Sequence, residues 1–590
     1  MAAKDTYTVS NEKASQSSRT ANGDTDSVRP RHHRLHDPSV SFEEYLHYAK
    51  LTRAEEDEAA RRDGQTGRAR TITEMLLSRK ADDAVPMGAA VEEKTVTATA
   101  ITNGQLEISS EEWMYASRAL RTATWGACFY LITTDILGPW GLPFAFGTTG
   151  WGPGTVLYTV FGALAYYSGW LLWKMFLGLD SYQYPLRSYS DLAFRIYGTW
   201  ARHCCNFLQA LQLLCSIGLI IIGNGQGLSQ VAKFRLCFAV CCLVWAIAGI
   251  LVGQVRTLKR YGIFASAAIW INIFVAFMTM AVAATSAPNY SGAQQASAGS
   301  ALSGPGGSLV AQLQDGTYPQ IQHSTGLPDS GSFIGSVNGF MQAVYAYGGA
   351  MIFCELMAEM RRPRDFLKAL TLASGFIWFF YMFFGLFMYG YQGQYVIQPA
   401  MQGLSPYGWQ TAGNILSMIS SLICAGLYGN IGIKVLYNNL LIEWLKFPAL
   451  TSKSGKLIWI ALVPVYWSIA YVLAAAIPNY FGLTSLVAAL CIMQFTYVFP
   501  PLLYVGYMIK KNARQEGECF DVTTRHDTGL SCWIRGFLAE RWYLNVWNLI
   551  YGLGAAATAG LGAYSAIMAL IATFQQPTAN AFTCHSPLDG

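Results

Sequence analysis

Charge is scarce in this chain. Of 590 residues only 13% are Asp, Glu, Lys or Arg, against 53% apolar, and the mean hydropathy is +0.27. That balance lies outside the range of soluble domains and leaves no basic surface for nucleic acid. Histidine is nearly absent from the apolar runs: His203 lies only at the edge of one, so a histidine proton relay is disfavoured. No Cys/His spacing of the metal-binding type occurs, so neither a metal nor a cofactor is expected. Without a concentrated His, Asp or Cys site at one surface, the chain is not expected to be an enzyme. Most of the cysteines (Cys204, Cys205, Cys215, Cys241, Cys242, Cys424, Cys491) fall inside apolar runs, where a thiol behaves as a small hydrophobe. No short apolar stretch with a small-residue cleavage site opens the chain, so a cleaved signal peptide is not expected.

What the chain has instead is long apolar runs, each near the ~20 residues a bilayer-spanning helix needs. Eleven are expected, at roughly 121–146, 152–178, 204–230, 236–253, 261–284, 333–360, 366–391, 410–442, 457–477, 481–509 and 543–574. The chain therefore reads as an all-α integral membrane protein, with a transmembrane domain over 119–575 and a short tail over 576–590. Residues 1–118 are polar, lack a sustained apolar period and read as a largely disordered tail. Within it, Ser41 and Glu44 have capping-box spacing, and Phe42, Tyr45, Leu46 and Tyr48 or Ala49 recur at helical intervals. That predicts a short amphipathic helix near 41–63, either a plain surface helix or one that docks under the membrane domain or meets a regulator.

Lys and Arg alternate between connections. One set holds Arg187, Arg195, Arg202, then Arg256, Lys259, Arg260, then Arg361, Arg362, Arg364, Lys368, then Lys446, Lys453, Lys456, then Lys510 to Arg541; the opposite set holds only Lys233 and Arg235. Positive residues mark the cytoplasmic side, so the N-terminus is expected to be cytoplasmic and the C-terminus external. The one Asn-x-Ser/Thr sequon, at Asn289, opens the longest loop expected outside and is a candidate glycosylation site.

The first run contains Leu137-Gly138-Pro139-Trp140-Gly141-Leu142-Pro143. Two Pro and two Gly in seven positions predict an interrupted helix. In lipid, unwound backbone survives only where it is buried in protein or lines a cavity, so this stretch is expected to line a binding site. The sixth run repeats the theme at Tyr347-Gly348-Gly349, five helices later, although a Gly pair also serves close helix packing. Breaks at corresponding positions suggest two five-helix halves of opposite orientation, a five-plus-five inverted repeat with one extra helix. Unwinding exposes N–H groups at one half-helix start and C=O groups at another's end, and a zwitterion fits both. A carboxylate would meet the N–H groups around Gly138 to Leu142, and an ammonium the carbonyls near Ile136 and Tyr347. Thr134, Asp135, Ile136, Gly138, Pro139, Trp140, Gly141, Tyr347, Gly348 and Gly349 are the candidate substrate-binding residues.

A charge at bilayer depth is costly, so ionisable residues there are functional candidates. Asp135, just before the first break, is the leading candidate to carry a proton or hold a substrate ammonium; capping of the broken helix is the alternative. Glu355, about two turns after Gly348, is a second coupling candidate or else a partner for a nearby Lys or polar backbone. Glu359 reads as an interfacial ion pair with Arg361 and Arg362, and Lys434 as a residue snorkelling to the inner surface.

Three stretches together resemble the amino acid/auxin permease family, in its fungal neutral amino acid permease branch. They are Thr133-Thr134-Asp135-Ile136-Leu137-Gly138-Pro139-Trp140, then Tyr347 through Phe353 with Glu355-Leu356-Met357-Ala358-Glu359-Met360-Arg361-Arg362-Pro363, and Ser41-Phe42-Glu43-Glu44-Tyr45-Leu46. Cys354 departs from the Pro expected there in many relatives. The resemblance implies the leucine-transporter-like fold with broken helices one and six, alternating access, and proton-coupled symport of neutral amino acids at the plasma membrane. A vacuolar exporter or exchanger and a transporter-like amino acid sensor are the alternatives. Neutral amino acids, protons and the lipid bilayer are the expected partners, with trafficking or ubiquitination machinery a further one at the N-terminal tail.

Overall fold

The computed structural model describes residues 40–66, 121, 123–255, 258–298, 312–327, 333–437, 453–477, 480–513, 530–539 and 541–574, with isolated positions between and beyond them. Most of the polar N-terminal tail, much of the 285–332 loop and most of the C-terminal tail lie outside the described residues. So do several of the cationic positions, Arg256, Arg514 and Arg525 among them.

Among the described residues the protein is all-helical. Helix α1 (Phe42–Thr66) precedes the membrane region. An interrupted segment follows: α2 (Trp125–Ile136), a 3₁₀ turn over Pro139–Gly141, and α3 (Leu142–Thr149). Then come α4 (Trp151–Leu179), the short α5 (Tyr189–Tyr197), α6 (Thr199–Val231), α7 (Phe238–Gly253), α8 (Leu258–Thr285) and α9 (Tyr290–Ala298). A second interrupted segment runs through α10 (Phe333–Ala346), a 3₁₀ turn over Ala350–Ile352 and α11 (Phe353–Glu359). The rest are α12 (Phe366–Gln392), α13 (Tyr407–Leu436), α14 (Lys453–Ala476), α15 (Tyr480–Asn512), α16 (Leu530–Leu538) and α17 (Trp542–Phe574). Among the described residues eight helices, α4, α6, α8 and α12 to α15 with α17, are long and apolar enough to cross a bilayer, and α7 is a shorter apolar one. The chain is a multi-pass membrane protein.

The first interruption follows from its residues. Leu137 N–H closes α2 on the Thr133 carbonyl, and Gly138 then leaves helical geometry at φ −139°, ψ 75°. Pro139 has no N–H to continue the ladder, so the chain restarts as a 3₁₀ turn in which Leu142 N–H returns to the Pro139 carbonyl. Pro143 is tolerated because it sits in the first turn of α3, where N–H groups lack intrahelical partners. At the second interruption Gly348 N–H bonds the Tyr345 carbonyl and Gly349 N–H the Tyr347 carbonyl. Absence of side chains is required at both glycines. A Cβ on Gly348 would stand 2.7 Å from Ile492 Cγ2, and one on Gly349 2.5 Å from Ile136 Cγ1.

Helix α15 carries two π-helical stretches, Ala488–Ile492 and Gln494–Val498, and the first brings Ile492 against the second break. At one end of the bundle the backbone of Ala123, entering α2, pairs with Glu359 and Arg361, leaving α11, through hydrogen bonds of 2.9 Å each. At that same end α1 lies packed on the bundle. Phe42, Tyr45 and Ala49 are buried, Phe42 edge-on to Tyr507 and Tyr45 edge-on to Tyr184. Arg53 reaches Asp180 at 2.8 Å; Asp180 is fully buried and also accepts from Arg121 at 2.7 Å and from the Leu186 N–H at 3.0 Å. Arg364 pairs with Asp57 of α1. Burial, the largest influence, pushes the half-buried Glu56 carboxyl above its ordinary range despite the pull of Arg53. A disulfide joins Cys237, before α7, to Cys584 in the C-terminal tail.

Candidate functional site

The two interruptions face each other across a cavity of about 200 Å³. Thr134, Asp135, Ile136, Gly138, Trp140 and Gly141 of the first segment line it, with Tyr345, Ala346, Gly348 and Met351 of the second. α6 contributes Gln212 to Gly227, α13 contributes Asn414 to Tyr428, and the loop after α12 contributes Gln398 and Gln402. The volume equals the liquid share of roughly six or seven waters, room for one small amino acid rather than a peptide.

Four of the residues singled out from sequence stand elsewhere. Pro139 and Gly349 are packed behind the cavity wall, Gly349 against Ile136 and Asp135. Tyr347 lines a separate void of about 20 Å³ with Ile136, Gly162 and Phe353. Glu355 is buried between elements, taking the Gln209 Nε2 donor at 3.1 Å and the Tyr189 N–H at 3.5 Å, while its Oε2 has no hydrogen-bond partner among the described residues. Of the sequence alternative, a nearby Lys or polar backbone, it is the polar backbone of Tyr189 that it meets; among the described residues no Lys or Arg pairs with it.

Among the described residues Asp135 is the one carboxyl of the cavity wall, and no Lys or Arg lines it. Tyr428 Oη donates to Asp135 Oδ1 at 3.0 Å, and Oδ2 lies 3.0 Å from where a Cβ on Gly349 would stand. Among the described residues no backbone N–H bonds the Asp135 carboxyl, and the buried hydroxyl of Tyr381, on α12, serves the break. Its oxygen accepts the Gly138 N–H at 3.2 Å and lies within donating reach of the Ile136 carbonyl and of the Ala346 carbonyl at 3.0 Å.

The carbonyls of Ile136 and Tyr347, expected from sequence to meet a substrate ammonium, each have a partner within the protein: Tyr381 Oη lies within donating reach of the first, and the Gly349 N–H bonds the second. The reason is general: a buried carbonyl is rarely left unpaired, and a partner from a distant helix is invisible to local sequence. Asp135 lines the cavity, and among the described residues no hydrogen bond is made to its Oδ2.

Residues 121–537 match the family described as transmembrane amino acid transporter protein. Among characterised proteins, the chain is similar to the N amino acid transport system protein of Neurospora crassa, 22% identical over 456 residues, 74% of this chain and 82% of that one. It is also similar to a transmembrane transporter of Gibberella moniliformis, 24% identical over 322 residues, 54% of this chain and 61% of that one. Among solved structures, a Na+-coupled sialic acid symporter in a substrate-bound outward-open state superposes at a TM-score of 0.38 and 10% identity, over 78% of this chain and 97% of that chain. With the interrupted segments, the cavity between them and a family match over 121–537, the chain belongs to the transmembrane amino acid transporter protein family and is a transport protein rather than an enzyme.

Proposed function

We propose that this protein is a secondary active symporter that takes up neutral amino acids with protons by alternating access at the plasma membrane. The observation that carries the reading is Asp135: a carboxyl in the wall of the cavity, beside a break in a helix, held by a tyrosine hydroxyl and, among the described residues, faced by no fixed cation. Such a group can hold the α-ammonium of a zwitterion when charged, and it can cross the membrane at low cost when protonated. The carboxylate of the substrate goes to the N–H groups that open the 3₁₀ turn and α3, around Trp140 and Gly141, where a helix start favours an anion. The remaining wall carries no net charge, which suits a neutral side chain. Glu355 is the second coupling candidate, standing outside the cavity between α11, α5 and α6.

In this reading the eight long helices, α7 and the two interrupted segments make eleven spans, with the interrupted ones first and sixth and α17 the added helix. The N-terminus and α1 are cytoplasmic. The Cys237–Cys584 disulfide supports an external C-terminus, since such bonds persist in oxidising compartments. Asn289 belongs to the same external side. Its Oδ1 caps α9 by accepting from the Gly292 N–H at 3.1 Å and Ser291 Oγ at 3.2 Å, and a glycan would attach at Nδ2.

Uptake into vesicles reconstituted with the pure protein tests the reading. A panel of labelled amino acids is offered under imposed pH and sodium gradients in turn. Accumulation of a neutral amino acid driven by an inward proton gradient, with sodium absent, is the expected result; accumulation that follows sodium alone would overturn proton coupling.

A further inference from the structure

The end of the bundle that carries α1 also carries an apolar rim. α16 is a nine-residue helix between the close of α15 at Asn512 and the start of α17 at Trp542, two helices long enough to cross a bilayer. It therefore lies where the chain leaves the membrane and enters it again. One face packs on the bundle: a Cβ on Gly536 would stand 2.2 Å from the Ile509 carbonyl oxygen of α15, and Trp533 stacks on Tyr197 with ring centroids 6.1 Å apart. The next face has no protein against it. Ile534 and Leu538, one turn apart, are 56% and 63% exposed, and nearby Trp542 and Trp200 are 54% and 80% exposed. Aliphatic side chains rimmed by Trp in a short amphipathic helix suit the membrane–water interface, where the rings sit at headgroup level.

Cations stand beside this rim without acids. Lys511, exposed in the last turn of α15, holds its ammonium 5.9 Å from the Tyr507 ring, and Lys174, part-buried near the end of α4, holds its own 3.8 Å from the Trp170 ring. Among the described residues neither forms an ion pair with a carboxylate, and nor does the exposed Arg535 of α16. The charged groups that act on Lys174 are Lys511 and Arg541, both cations, so the three lie within Coulombic reach of one another. Like charges gathered in this way repel, and an anion placed among them relieves the repulsion.

We propose that this rim is a binding site for an anionic phospholipid, with Lys174 and Lys511 on the headgroup phosphate and the acyl chains along Ile534 and Leu538. Charge complementarity chooses an anion, and the exposed apolar face beside the cations, continuous with the bilayer-facing side of α17, chooses one that carries chains. A free phosphate would leave that face bare. Lys174 lies inside a span, and its long apolar stem lets the ammonium reach the headgroup level while the helix stays in lipid. Only the assignment of the lipid to the cytoplasmic leaflet rests on the reading above; the site itself belongs to whichever leaflet α1 faces.

The test uses the full-length protein in detergent, with native mass spectrometry following the first lipid bound from phosphatidylserine or from phosphatidylcholine of the same acyl chains. Phosphatidylserine is expected to bind roughly tenfold or more tightly than phosphatidylcholine. Lys174→Gln and Lys511→Gln should each cut that affinity roughly fivefold, the worth of one basic side chain at an anionic surface, and leave phosphatidylcholine unchanged. Ile534→Ser, at an exposed position, should weaken both lipids together. Lys233→Gln, past the other end of α6, is the control and should change neither. Inorganic phosphate and glycerophosphoserine, which lack the chains, should not displace the lipid. Equal binding of the two lipids, unchanged phosphatidylserine affinity in the Lys174→Gln/Lys511→Gln double variant, or an equal loss in Lys233→Gln overturns the site, and displacement by phosphate overturns the lipid as its occupant. None of these measurements involves uptake, so a failure here leaves the transport reading standing, and a failure of that reading leaves the site standing.

Discussion

The hydroxyl of Tyr428 donates to Asp135 at 3.0 Å, joining α13 to the end of α2 across 293 residues of sequence. The bond fixes the carboxyl in the wall of the cavity and leaves its second oxygen for a ligand or a proton. Asp135→Asn keeps the shape and removes the charge and the titration. Uptake driven by a pH gradient is expected to be lost in that variant, while exchange of internal for external substrate can persist. Counterflow and pH-driven uptake measured on the same vesicles separate the two, and undiminished pH-driven uptake would remove Asp135 from the coupling.

Tyr381 reaches both breaks, and a phenylalanine there removes the one O–H that lies within reach of the Ile136 and Ala346 carbonyls and the oxygen that accepts the Gly138 N–H. Each buried group left unpaired costs about 1–3 kcal/mol. Tyr381→Phe is expected to lower the melting temperature of the purified protein and to weaken substrate affinity, because the two half-helix ends lose their shared anchor. Melting with and without substrate checks it: a loss of stability that added substrate restores only weakly is the expected pattern.

Gly349 has no room for a side chain, since a Cβ would meet Ile136 Cγ1 at 2.5 Å and Asp135 Oδ2 at 3.0 Å. Gly349→Leu is expected to push the first break away from the second and abolish binding, at an overpacking cost of about 1–3 kcal/mol or more. Gly375→Ala, where no atom lies within 4 Å of the added Cβ, is the control and should bind normally. Equilibrium binding to folded, monodisperse protein decides it, and normal affinity in Gly349→Leu would remove the break from the site.

Asp180 is the hub that secures α1. It is fully buried between Arg53 and Arg121, so Asp180→Asn takes the carboxylate partner from the buried Arg121 guanidinium, while Arg53 keeps its pair with Glu56 at 2.7 Å, a loss of about 3–5 kcal/mol. Arg53→Met removes one partner and leaves the Arg121 pair intact. Hydrogen exchange over 42–66 should therefore rise in both variants. The bundle itself should lose stability only in Asp180→Asn; equal destabilisation by both would contradict the ranking.

Much of the architecture is written locally. The apolar runs declare helices in a bilayer because a span must be about 20 residues long and nearly free of charge. The interruptions at Leu137 to Pro143 and Tyr347 to Gly349 are declared by residues that cannot propagate a helix, and the apolar stripe from Phe42 announces a helix wherever it comes to rest. Backbone chemistry and periodicity act between near neighbours, so neighbours suffice to read them. What tertiary structure alone decided are the partners. Tyr428 finds Asp135, Tyr381 fills the carbonyl that sequence reserved for a substrate, and Cys584 reaches Cys237 across 347 residues. Glutamines and asparagines scattered over five elements converge on one wall, and Asp180 waits beneath α1 for Arg53. Each of these pairs is brought together by packing between helices distant in the chain, and a single side chain gives no local signal of which remote group it will meet.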